Sequence, residues 1–177
     1  MTVDASFIVV LLLVGAASYT DLVKKKIPNG LTLTALCTGL CFMLIIRGFD
    51  GFLYSLFGVG VGFLLFLVPF ALRMVKGGDV KLLMAVGAWL GPADTFSIFF
   101  VTCLIGGVVA LLALLVSKQS RQALHAGGQI LKSAVLTGDP DEIARAERNG
   151  TSGWVPYGVV IGISTLVILS MGGLSLW

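Results

Sequence analysis

Lys76-Gly77-Gly78-Asp79-Val80-Lys81-Leu82-Leu83-Met84-Ala85-Val86-Gly87-Ala88-Trp89-Leu90-Gly91-Pro92-Ala93-Asp94 is the stretch on which the fold turns. Between Lys81 and Asp94 lie only twelve uncharged residues, a length more typical of a re-entrant or buried helix than of a bilayer crossing. Apolar segments flank it on both sides: residues 5–20, Leu31–Ile46, Gly51–Leu72, Thr95–Ser117 and Thr151–Trp177. The third of these and the two that follow Asp94 are long enough to span with some tilt. Whether the short segment also crosses decides on which side every later loop lies.

Charge asymmetry answers that question. If all six segments cross, the loops at 21–30, 73–81 and 118–150 share one side. They hold Lys24, Lys25, Lys26, Arg73, Lys76, Lys81, Lys118, Arg121, Lys132, Arg145 and Arg148, which is 11 of the 12 basic residues; Arg47 alone lies opposite. Were the short segment not to cross, the five basic residues of 118–150 would move to the other side, against the positive-inside rule. The sequence therefore predicts an all-α, polytopic membrane helix bundle of about six transmembrane helices. The fourth helix then begins near Gly77, which gives it 17 residues and about 25 Å at a rise of about 1.5 Å each. Asp79 and Lys81 are drawn into the cytoplasmic edge of the membrane.

Composition agrees. Of 177 residues, 57% are hydrophobic and 12% charged, and the mean hydropathy is +1.02. Soluble domains carry about 25% charged residues, so lipid rather than water suits this surface. A net charge of +3 is too small to indicate nucleic acid. Asp4 precedes the first apolar run and no Lys or Arg does, so the first segment reads as a retained span rather than a cleaved signal peptide. Cys37, Cys41 and Cys103 fall inside apolar stretches without a CxxC pair, which argues against disulfides and zinc and for small packing residues. The region 118–150 is too short for a domain, so residues 1–177 read as one transmembrane domain with a cytoplasmic loop. Leu124, Leu131 and Val135 fit either a short helix on anionic headgroups or a solvated linker. His125 has no second ligand nearby, and no metal or other cofactor is expected. Gly58 with Gly62, and Gly158 with Gly162, have the spacing of close helix packing.

Two aspartates stand where a membrane tolerates them poorly. Asp21 ends the first span, in Ser18-Tyr19-Thr20-Asp21-Leu22-Val23-Lys24-Lys25-Lys26-Ile27-Pro28-Asn29, and Asp79 opens the fourth. Both face the same leaflet, so bundle packing can join them into a carboxylate pair of the aspartic-protease type. Taken singly, Asp21 also fits an interfacial residue balancing three lysines, and Asp79 a helix cap, with Gly77 and Gly78 forming a tight turn.

These stretches resemble the type IV prepilin peptidases, membrane aspartyl proteases of the GxGD class. The resemblance is carried by Asp21 to Asn29, by Gly77-Gly78-Asp79-Val80-Lys81-Leu82, and by Trp154-Val155-Pro156-Tyr157-Gly158-Val159-Val160-Ile161-Gly162. It implies Asp21 and Asp79 as catalytic residues, supported by Lys76, Gly77, Gly78 and Lys81. It implies cleavage of a leader peptide on the cytoplasmic side of the bacterial inner membrane. The larger members carry paired CxxC motifs in a methyltransferase domain; this sequence has none and resembles the short, peptidase-only (CpaA- or TadV-like) forms that serve Flp-type pilins. The implied substrate is a pilin precursor with an apolar N-terminal helix, docking from the bilayer. Lys76 departs from the pattern, which has Gly three residues before the Asp.

Helix dipoles favour Asp79 as the anionic base and Asp21, near a helix C-terminus, as the neutral acid. Two competing readings stay open: an inactive relative, motivated by Lys76, and a non-enzymatic scaffold or transporter subunit. Intramembrane Asp and Lys also mark ion pathways. A transporter calls for polar residues deep in the spans, and spans two, three, five and six contain no charge.

Overall fold

The computed structural model describes residues 2–24, 26–71, 75–116 and 157–170. The described residues form helices joined by short turns, with no strand among them: α1 (Thr2–Lys24), α2 (Asn29–Ala71), α3 (Gly77–Leu90), α4 (Pro92–Val116) and α5 (Tyr157–Ser170). The loop 118–150, with His125 and its candidate interfacial helix, lies outside the described residues.

Three helices are long and apolar enough to cross a membrane: Ser6–Lys24 within α1, Asn29–Ala71, and Pro92–Val109 within α4. This is a membrane protein. The longest of the three is two helices in one. Gly48 breaks it with φ 66° and ψ −148°, a region of backbone space open essentially to glycine alone. The arms, residues 29–47 and 49–71, then pack on α3 in opposite directions. On the first arm Asn29 meets Lys81 and Ala35 meets Trp89. On the second, Gly58 lies against Gly87, Gly62 against Leu83 and Gly77 near Phe70. One arm is therefore parallel to α3 and the other antiparallel, so α2 is a helical hairpin.

The predicted start of the short helix at Gly77 holds. Its end does not reach as far as expected: α3 stops at Leu90, after 14 residues, about 21 Å by helical rise. That is shorter than the roughly 30 Å hydrocarbon core. The physical reason is that α3 is clothed by protein. Leu82, Leu83, Ala85, Val86 and Ala88 are 0% exposed, and Lys81 is the only exposed residue of the helix. A helix wrapped by its neighbours need not match the lipid thickness.

Small residues let those neighbours close in. A Cβ at Gly58 would strike the Gly87 carbonyl, and one at Gly87 would strike that of Gly58. The expected role of Gly58 and Gly62 in close packing is thus seen directly. Opposite them, Gly39 makes room for the Trp89 indole, whose Nε1–H donates to the Ala35 carbonyl at 2.8 Å. Helix α5 lies antiparallel to α1, with Gly158 and Gly162 against Asp21 and Ser18. The three cysteines are free and exposed, contrary to the expected packing role. In a helix apolar on every face, hydropathy does not separate the lipid side from the packed side.

Candidate active site

The end of α1 and the starts of α2, α3 and α5 meet at one end of the bundle. Pro28 has no N–H to offer a helix, and its carbonyl accepts from Thr32 N–H to open α2. Residues 26–28 thus lead directly into α2 and set Ile27 against Gly78. At the start of α3, Lys76 is the N-cap and Asp79 the third helical residue. The Lys76 N–H donates to Asp79 Oδ2 at 3.0 Å, the half of a capping box in which the acidic side chain reaches back. Lys76 holds φ −89° and ψ 156°, ordinary extended backbone, so this position does not require glycine.

Asp21 is fixed from across the bundle. The Gly158 N–H donates to its Oδ2 at 3.0 Å, and one turn earlier on α1 the Ser18 hydroxyl donates to the Gly158 carbonyl at 3.2 Å. One residue of α5 is thereby gripped on both of its backbone groups. A Cβ at Gly158 would stand 2.9 Å from Asp21 Oδ2, so glycine is what allows the approach.

Both carboxylates are 3% exposed, and both line a single cavity of about 330 Å³. Lys26, Ile27, Asn29, Lys76, Gly77 and Gly78 complete the wall. Asp79 feels the charges of Asp21 and Lys76, and Tyr157, the first residue of α5, feels that of Asp79. The two aspartates singled out in the sequence are thus brought together. So are Lys76, Gly77 and Gly78. Lys81 is not in the wall; its Nζ donates to Asn29 Oδ1 at 3.1 Å.

Two carboxylates lining one cavity resist double ionisation and can hold one shared proton, which suits activation of water. The Gly158 contact alters the expected division of labour. Asp21 sits near the C-terminus of its own helix but accepts an N–H from the first turn of α5. Each carboxylate therefore faces the favourable end of one helix, and the dipole bias towards a neutral Asp21 is offset.

The type IV leader peptidase family profile matches residues 7–111, more than half of the chain. The chain belongs to that family. It is 33% identical over 103 residues to a prepilin leader peptidase/N-methyltransferase of Aeromonas hydrophila. It is 32% identical over the same length to one of Aeromonas salmonicida. Each alignment takes in 54% of this chain and 35% of the relative, so the chain spans about a third of the curated relatives it matches. No solved structure matches it. The matched region of the leader peptidase family holds both aspartates but stops short of α5.

Sequence reasoning missed Gly158 as a partner of Asp21, having read it as a packing residue and as part of the stretch from Trp154 to Gly162. It also passed over Ile27 and Asn29, which stood inside a quoted stretch. The usable signal for them was Pro28: a proline three or four residues after a helix end forces a short turn, which holds its neighbours beside that end.

Proposed function

We propose that this protein is a prepilin leader peptidase of the aspartyl type. It hydrolyses the leader peptide of a Flp- or type IVb-like pilin precursor at the cytoplasmic face of the bacterial inner membrane. The observation that carries the reading is the single cavity lined by two buried carboxylates from different helices, Asp21 and Asp79. In the reaction, one carboxylate takes a proton from water as the water oxygen attacks the scissile carbonyl carbon. The other, protonated, gives its proton to the carbonyl oxygen. Collapse of the resulting diol breaks the C–N bond, and the leaving nitrogen takes a proton from the pair. The lysines at positions 26 and 76 flank the cavity on the side to which the positive-inside rule assigns the cytoplasm. In this reading α1, the two arms of α2, α3, α4 and α5 are the six crossings, with the 118–150 loop on the cytoplasmic side. The substrate's apolar helix enters from the bilayer.

Lys76 does not disqualify the site, because its backbone lies where any residue is at ease. The test is cleavage of a co-expressed Flp-type prepilin by the parent, Asp21→Asn and Asp79→Asn proteins. Cleavage by the parent and by neither variant supports the pair. Cleavage that survives both substitutions removes the aspartyl mechanism, and a folded parent that cleaves no prepilin removes the peptidase reading.

A further inference from the structure

Asn29 and Lys81 form a pair at the cavity wall that the reaction described above does not use. Asn29 lines the cavity together with Asp21 and Asp79; Lys81 does not. The Lys81 ammonium lies 3.1 Å from Asn29 Oδ1. An ammonium only donates, so the amide oxygen is the atom it must meet. The planar amide then turns its Nδ2 hydrogens away from Lys81; the side chain is exposed, and among the described residues these hydrogens meet no acceptor. The other uncharged wall residues, Ile27, Gly77 and Gly78, carry no side-chain donor.

We propose that the Asn29 amide donates from Nδ2 to the scissile peptide carbonyl of the substrate, with Lys81 as the positioning residue that turns the amide that way. The inference rests on the leader-peptidase reading and adds to it a substrate-binding residue and its orienting partner. A neutral donor suits this place. Unlike the flanking Lys26 and Lys76, an amide offers an N–H without adding positive charge beside the carboxylates' shared proton. As water adds, the carbonyl oxygen gathers negative charge before it is protonated, and a fixed N–H donor gains strength in that state.

The test is steady-state cleavage of a prepilin by the purified full chain in liposomes, with kcat, KM and the thermal midpoint read for each variant. Asn29→Asp keeps an oxygen for Lys81 but has no N–H, and Asn29→Ala removes the donor without adding charge. Both are expected to lower kcat about 100-fold, the usual loss for one such donor, while KM stays within about 3-fold and Asn29→Asp melts like the parent. Lys81→Met frees the amide to rotate and is expected to lower kcat about 3- to 10-fold, with Lys81→Arg restoring it. The proposal is overturned if either Asn29 variant keeps the parental kcat. It is also overturned if Lys81→Arg fails to restore what Lys81→Met loses. An inactive parent tells a different story: there the leader-peptidase reading itself fails, and this inference falls with it.

Discussion

A methyl group at position 158 has nowhere to go. Built on Gly158, it stands 2.9 Å from Asp21 Oδ2 and 3.1 Å from Asp21 Cβ, so either the carboxylate or α5 must shift. Because displacement of a reacting group by about 1 Å costs on the order of 100-fold in rate, Gly158→Ala is expected to cut prepilin cleavage by about that factor. Its thermal midpoint in detergent should change far less than its rate. Equal losses in both would show that Gly158 serves packing alone. Lys76→Gly is the opposite case. It restores the GxGD pattern, yet φ at this position is −89°, so cleavage is expected to stay within about 3-fold of the parent. A large gain would mean that the Lys76 side chain, not its backbone, restrains the site. The two aspartates were legible in the sequence because charge at a membrane edge is costly and therefore conspicuous. That Lys76 and Gly158 donate to them through the backbone was not, since an N–H has no residue-type signature.

Breaks between elements follow a different logic. The charges Arg47 and Asp50 separate two apolar segments in the sequence, and the hairpin turn falls between them, at Gly48. No heavy atom lies within 4 Å of a Cβ built there, so the cost of a side chain is conformational alone. Gly48→Ala is expected to destabilise the protein by about 1–3 kcal/mol, the range for a residue held in sparsely populated backbone space. Denaturant unfolding in detergent measures it, and the fraction that remains folded should cleave normally, since the turn lies far from the cavity. An unchanged unfolding midpoint would mean that the α2 hairpin does not depend on this glycine. The start of α3 was readable from Gly77 onward, but its early end was not. Its length is set by how completely α2 and its neighbours enclose it, a property of packing rather than of composition.

At the scale of the molecule, the all-helical membrane architecture was legible from hydropathy and charge, because lipid imposes one simple rule on composition. The number of crossings is a harder quantity, since a 14-residue helix such as α3 has no lipid-matched length to declare itself. Sidedness offers a direct handle. The first arm of α2 starts beside the cavity and runs from Asn29 to Arg47, about 27 Å by helical rise, before the chain turns back at Gly48. If that hairpin crosses the bilayer, Lys26 and Lys76 lie on one side and Arg47 on the other. With Cys37, Cys41 and Cys103 replaced by Ala, the single variants Lys26→Cys, Lys76→Cys and Arg47→Cys separate the cases. All three positions are exposed, so an impermeant maleimide reaches each from its own compartment. In inside-out vesicles Lys26→Cys and Lys76→Cys are expected to label and Arg47→Cys to stay unlabelled, with the reverse in intact spheroplasts. Labelling of Lys26→Cys and Arg47→Cys from the same side would mean that the hairpin dips into one leaflet and returns. The positive-inside argument would then lose the one basic residue that it places outside, and the cavity would need another route to the cytoplasm.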